Sequence, residues 1–181
     1  MLTLFLFPTE GEAARFKELR ADACTAIIGV GMAEAGASAA EAIARYKPQR
    51  VVLAGIAGAC DERIGVGECV AVVSDMVVAL PEAFRVEYRG SECDGLRSAE
   101  TYTVNRTGES LPFCGGGEAL LPAVEQMEGA AVAAVCRRAG VEYLHLRSIS
   151  NRVTDSRSEW RIGQAIDALT GQLLAICDEK A

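Results

Sequence analysis

Two close pairs of acids, Glu10 with Glu12 and Glu125 with Glu128, stand where helical spacing begins, and an amide, Asn151, stands just beyond the apolar run "VEYLHLRSIS". A carboxylate and an amide brought to one edge of a sheet can hold a polar ligand between an anion and a neutral hydrogen-bonding group. Taken singly, each has a local explanation: acids in a first helical turn complement the helix dipole, and asparagine at a strand end forms turns. The glycines of "GVG" at 29–31 and "AGIAG" at 54–58 each follow an apolar run. There glycine permits positive φ and close approach of a ligand to backbone N–H groups, although a tight turn without a ligand explains either cluster alone. Two such clusters at the carboxyl ends of neighbouring strands fall where open α/β sheets bind ligands. Arg147, Ser148 and Ser150 surround the end of the last strand. His145 has no second histidine or catalytic cysteine motif to work with and is expected to pack within the strand, as Trp160 is expected to pack in the core.

The elements that must position these residues alternate. "LTLFLF" is a strand stopped by Pro8, followed by the helix "EGEAARFKEL"; "CTAIIGVG" is a second strand, followed by the alanine-rich helix "AEAGASAAEAIARY". "VVLAGIAGAC" is a third strand passing into a glycine turn, and "CVAVVSDMVVAL" a fourth. Residues 81–121 are rich in Gly, Pro, Ser and Glu, with short strand-like pieces such as "TYTV", and are expected to supply loops over a site or toward a partner subunit. From 124 the spacing predicts a helix, "VEQMEGAAVAAVCRRAG", then the strand "VEYLHLRSIS", then a terminal amphipathic helix. This rhythm predicts a three-layer α/β/α fold with a central mixed sheet, in one domain over residues 1–181.

Composition removes several classes of function. The 18 Lys and Arg against 25 Asp and Glu leave a formal charge of −7 with no basic block, unlike a nucleic-acid binder. The seven cysteines are scattered and never form a C-x-x-C pair, so reduced, mostly buried thiols in a cytoplasmic protein are expected, with no zinc site. No apolar run approaches the roughly 20 residues of a membrane span, and the apolar start lacks the basic residues and cleavage site of a leader.

Two long segments carry a family resemblance. "LAGIAGACDERIGVGECVAVVSDMVV" resembles the stretch of the nucleoside phosphorylase and nucleosidase superfamily in which a G-x-A-G turn precedes a strand ending in Ser-Asp. "EQMEGAAVAAVCRRAGVEYLHLRSISNRVTD" resembles the same superfamily's Met-Glu-Gly and Arg-x-Ile-Ser signature, and the match runs in order from residue 1 to about 175. The resemblance implies that Glu128, with Met127 beside it, holds the ribose hydroxyls and favours a cationic sugar, and that Glu12 activates water. It places Gly58 in the ligand-binding turn and Thr103, Val104 and Asn105 near the base.

Two departures from the family pattern refine the expectation. Adenine-specific nucleosidases have aspartate where this chain has Asn151; asparagine offers a donor to a 6-oxo group while its carbonyl accepts from a protonated N7, which favours hypoxanthine or guanine. Phosphorylases typically carry Arg and Thr in the glycine turn to hold phosphate, where this chain has Leu53 and Ile56. Desolvating a phosphate dianion against aliphatic side chains costs roughly a few kcal/mol or more, so water is the better acceptor. With Thr9 through Glu12 matching a T-x-x-E pattern and "TVN" near the base, the sequence is most similar to the futalosine hydrolase branch, which releases hypoxanthine from futalosine in menaquinone biosynthesis. The alternatives are a purine nucleoside phosphorylase, another 6-oxopurine nucleosidase, and a nucleoside-binding relative without turnover. Arg106, Arg152 and Arg157 are candidates for the carboxylate tail of the substrate, and Phe113 and Tyr102 for an aromatic on the base. The resemblance also implies a homo-oligomer acting on a small nucleoside, with no cofactor and neither nucleic acid nor membrane as partner.

Overall fold

The computed structural model describes residues 1–114 and 120–178. The first half follows the predicted rhythm: β1 (Thr3–Phe7), α1 (Glu10–Leu19), β2 (Cys24–Ile27), α2 (Met32–Tyr46) and β3 (Arg50–Ala59). Strand β1 is parallel to both β2 and β3, as right-handed β-α-β crossovers require. The rest of the chain adds β4 (Cys69–Val77), β5 (Glu87–Arg89), β6 (Arg97–Thr103), β7 (Ala123–Gln126), α3 (Gly129–Ala139), β8 (Glu142–Arg152) and α4 (Ile162–Asp178).

The sheet is mixed, and part of it closes. Strand β8 is parallel to β3 and antiparallel to β4; β6 is parallel to β4 and β7; β7 is antiparallel to β3. Following β3, β7, β6, β4 and β8 therefore returns to β3, so five strands form a small ring beside the open β2-β1-β3 portion. A ring this tight needs small interior side chains, and it has them: Ala57, Ala59, Val70, Val72, Ala99, Val124 and Ile149 pack together inside. Helices cover both faces of the open portion. On one side Ala35, Ala39 and Ile43 of α2 meet Val132 and Cys136 of α3 over Leu4, Leu6 and Leu53. On the other, Ala13 and Phe16 of α1 join Leu169 and Leu173 of α4 over Phe5, Phe7, Leu144 and Leu146.

Two expectations are corrected here. "GIAG" is not a turn: β3 runs straight through it to Ala59, and only Gly29 and Gly31 of the two glycine clusters have positive φ (80° and 88°). The helix expected from 124 begins later, so that Glu125 lies in β7 and Glu128 is the N-cap of α3 rather than a residue of its first turn. Residues 81–121 contain a 3-10 turn at Glu82–Phe84 as well as β5 and β6; positions 115–119 lie outside the described residues. All seven cysteines are free thiols, two of them buried and five half-buried. No helix among the described residues is long and apolar enough to cross a membrane.

Candidate functional site

A cavity of roughly 390 Å³ opens at the carboxyl ends of β1, β3 and β8, within the size range of small-molecule sites. Its wall includes Glu12, Gly58, Val104, Met127, Glu128 and Asn151, so six of the eight residues expected to form a site meet around one space. Thr103 and Asn105 do not reach it. Thr103 is fully buried behind the wall, and Asn105 is exposed, its backbone N–H bonded to the Glu109 carboxylate at 2.8 Å.

Glu12 enters from the first turn of α1. Thr9 caps that helix, its hydroxyl oxygen accepting the Glu12 N–H, and "TEGE" is a Thr-x-x-Glu capping sequence. The cap and the site are the same residues: the Thr9 hydroxyl donates to one Glu12 oxygen at 2.6 Å and the Ile56 N–H to the other at 2.9 Å. One turn on, Phe16 stacks against Phe5 and Phe7, with ring centroids 4.9 and 5.8 Å away, which fixes α1 on β1. Each such contact is worth about 0.5–1.5 kcal/mol beyond its buried area. Glu10 faces solvent and pairs with Lys17.

Glu128 is released from the capping duty its position invites. The side-chain carbonyl of Gln126 accepts the N–H groups of Glu128 (2.7 Å) and Gly129 (2.6 Å), and the Thr103 hydroxyl oxygen accepts that of Ala130 (3.0 Å). With the helix start satisfied by these neighbours, the Glu128 carboxylate accepts from the Gly31 N–H at 3.1 Å and from Arg147 at 3.0 Å.

Arg147 was not assigned a role from sequence, and it organises the site. Only 1 % exposed, it donates from Nε to His145 Nε2, from Nη1 to the Ile56 carbonyl, and from Nη2 to both Gln126 and Glu128. A Cβ on Gly55 would lie 2.6 Å from Arg147 Nη1 and 3.0 Å from a Glu12 oxygen, so both the guanidinium and the Glu12 carboxylate lie against that glycine. The glycine is there to admit them. His145 is a packing residue with a polar duty: burial, and then the adjacent guanidinium, push its pKa well below the usual histidine value. It is therefore neutral, with Nε2 as acceptor and the proton on Nδ1. Behind it, burial raises the Asp75 carboxyl to about 7, even though the Thr103 hydroxyl donates to it at 2.7 Å. The legible signal for Arg147 was a cation inside the apolar run "LHLRSIS", which has to find a partner when buried.

Asn151 is 2 % exposed and sits at a bulge. The parallel ladder pairs Ala57 with Ile149 and then Gly58 with Asn151, skipping Ser150. The displaced Ser150 hydroxyl donates to Asn151 Oδ1 at 2.7 Å, and Asn151 Nδ2 donates to the Arg152 carbonyl at 2.6 Å. These bonds fix which end of the amide is the donor and leave it one N–H and one lone pair for a ligand.

Of the three arginines considered for a substrate tail, only Arg157 lines the cavity, stacked 4.1 Å above the Trp160 ring. Trp160 lines the same mouth rather than packing in the core, while Tyr102 and Phe113 pair with each other outside the wall. Leu53 is wholly buried in the core and Ile56 lines the cavity. Among the described residues no cluster of His, Cys, Asp and Glu is placed to hold a metal ion.

Residues 119–178, which carry Glu128, Arg147 and Asn151, match the family model of the phosphorylase superfamily. No curated protein matches the sequence. Among solved structures the chain is similar to native futalosine hydrolase of Helicobacter pylori, with a TM-score of 0.87 at 16% identity over 99% of this chain and 98% of the other. It is similar to 5'-methylthioadenosine/S-adenosylhomocysteine nucleosidase from Neisseria meningitidis, with a TM-score of 0.87 at 14% identity over 98% and 99% of the two chains. The nucleosidase of the same description from Helicobacter pylori gives 0.85 at 17% identity over 99% of each chain. Likeness at these identities is likeness of fold.

Proposed function

We infer that this chain, which belongs to the nucleoside phosphorylase and nucleosidase superfamily by its 119–178 segment and its fold, hydrolyses the N-glycosidic bond of a 6-oxopurine nucleoside, with futalosine as the substrate and hypoxanthine as the released base. The observation that carries the reading is the meeting of Glu12, Glu128 and Asn151 around one cavity, with Arg147 paired to Glu128 and lying, like Glu12, against Gly55.

Breaking the bond between C1' and the purine leaves positive charge on the sugar and moves an electron pair onto the base, so the site must stabilise opposite charges at its two ends. Glu128 supports the sugar end: an anion held by Gly31 and Arg147 accepts from ribose hydroxyls and strengthens as the sugar becomes cationic. Glu12 accepts a proton from the attacking water as its oxygen bonds to C1', and its carboxylate is held for this by Thr9 and Ile56. Asn151 supports the base end with its free N–H on the 6-oxo oxygen and its carbonyl accepting from N7–H; N7 takes its proton from solvent, so the base leaves neutral, and the proton that Glu12 takes from the attacking water returns to solvent. Arg157 over Trp160 offers a cation and an aromatic face at the mouth for the carboxylate-bearing tail.

Charge balance favours water over phosphate. Glu12, Glu125 and Glu128 line the cavity against Arg147 and Arg157, and Arg147 already spends its charge on Glu128. A phosphate dianion would face carboxylates and the aliphatic Ile56. The reading carries with it a single-domain homo-oligomer in the cytoplasm that needs no cofactor. It is tested by chromatography of the free base released from futalosine, inosine and methylthioadenosine, each with and without phosphate. Phosphate-independent hypoxanthine from futalosine is expected; strict phosphate dependence would make the protein a phosphorylase, and no base from any of the three would leave a binding protein.

A further inference from the structure

We propose that Glu125 is a positioning residue for base selection, its buried carboxylate clamping the 104–114 loop into the cavity wall beside Asn151; the inference rests on the nucleosidase reading above. Three observations lead there. Glu125 of β7 is in register with Gly58 of β3, which is in register with Asn151 of β8, so the clamp and the base-recognising amide stand in one row across three strands. The Glu125 carboxylate, 5 % exposed, makes no ion pair with a cation among the described residues and instead accepts three bonds from one loop: the Gly108 N–H at 2.8 Å, and the Ser110 N–H at 3.0 Å and hydroxyl at 2.5 Å. That loop contributes Val104 and Thr107 to the cavity wall.

Most other bonds of the loop are local and cannot place it. Glu109, Leu111 and Phe113 bond back three residues along the chain, and Asn105 N–H bonds to Glu109. Its start is tied by the Val104 N–H to the Gln126 carbonyl at 2.9 Å, and its middle by Glu125. Strand β7 thus holds the base-side wall twice, once through its backbone and once through its carboxylate. Glu12 and Glu128 are held by Thr9, Ile56, Gly31 and Arg147, none of them in this loop. Loosening the clamp should therefore alter how the base is gripped and leave water activation in place.

Glu125→Gln puts an amide group against donors that need an acceptor, and Glu125→Asp keeps the charge on a shorter arm; should the first fail to fold, the second supplies the comparison. Three readouts on the full chain separate a positioning role from mere loop stability: hydrogen exchange of the 104–114 amides, calorimetric binding of free hypoxanthine and adenine, and the split between KM and kcat on the nucleoside that is turned over. For Glu125→Gln we expect faster exchange in the loop, about tenfold or greater loss of hypoxanthine affinity with a narrowed preference over adenine, a matching rise in KM, and kcat within about threefold of the parent. Glu125→Asp should fall between. Unchanged exchange would remove the clamp, and faster exchange with unchanged base affinity and preference would remove its role in base selection. A parent protein that binds hypoxanthine yet releases no base from any nucleoside would sink the nucleosidase reading while leaving Glu125 to be judged by the first two readouts; a parent that binds neither base overturns the inference itself.

Discussion

Arg147→Met is the substitution whose consequence can be worked furthest from the geometry. The two partners of the ion pair are 1 % and 4 % exposed on their side chains and 3.0 Å apart, so removing the guanidinium leaves Glu128 as a buried anion with only the Gly31 N–H for support. Breaking one side of such a pair typically costs about 3–5 kcal/mol. Urea unfolding at pH 7 should therefore show Arg147→Met destabilised by about 3–5 kcal/mol. The double variant Arg147→Met with Glu128→Gln should recover much of the pH 7 loss. A loss under about 1 kcal/mol, or no recovery in the double variant, would refute the premise that Glu128 depends on Arg147 for its charge.

Glu12→Gln should lower kcat by about 100-fold or more, the usual worth of a general base, while ligand affinity stays within a few-fold; full turnover would remove Glu12 from that role. Asn151→Asp should shift the ratio of 6-oxopurine to 6-aminopurine turnover toward the latter, and an unchanged ratio would remove Asn151 from base recognition. Asp75, whose folded pKa of about 7 exceeds its unfolded value, binds its proton more tightly when folded, so the parent loses stability as pH rises from about 4 through 7. Asp75→Asn should flatten that slope in denaturant titrations, and parallel slopes would place the titration elsewhere. Gly55→Ala drives a methyl group against Arg147 and Glu12 and should cost activity about tenfold or more together with about 1–3 kcal/mol of stability; a fully active variant would show that the guanidinium is free to move aside.

The layered architecture was legible because apolar runs and helical spacing are local signals, and Glu10 and Glu12 just beyond the first strand marked a helix start that the structure keeps. The ring of five strands was not, because it depends on β8 pairing with both β3 and β4, which no local pattern encodes. "GIAG" was misread for a related reason. Its glycines suggested a turn, yet Gly55 is small because a guanidinium from a residue far along the chain fills the place of its side chain. Glu125 and Glu128 looked like helix-start acids since they stand three positions apart, and only the capping by Gln126 and Thr103 shows why the helix waits until Gly129. The resemblance to a family located Glu12, Glu128 and Asn151 together; tertiary packing alone brought Arg147 and Trp160 to them.

Strand β8 carries both Arg147, at the end of the cavity proposed for the sugar, and Asn151, at the end proposed for the base. Four residues of extended chain separate their Cα atoms by at most about 13 Å, less at a bulge, and the strand is locked on both sides by β3 and β4 over part of that length. The sheet therefore acts as a fixed gauge. Under the proposed function, a nucleoside would be graded by whether its base and sugar span that interval before any single hydrogen bond is tested, with only the loop side and the mouth left to adjust to what it carries beyond its sugar.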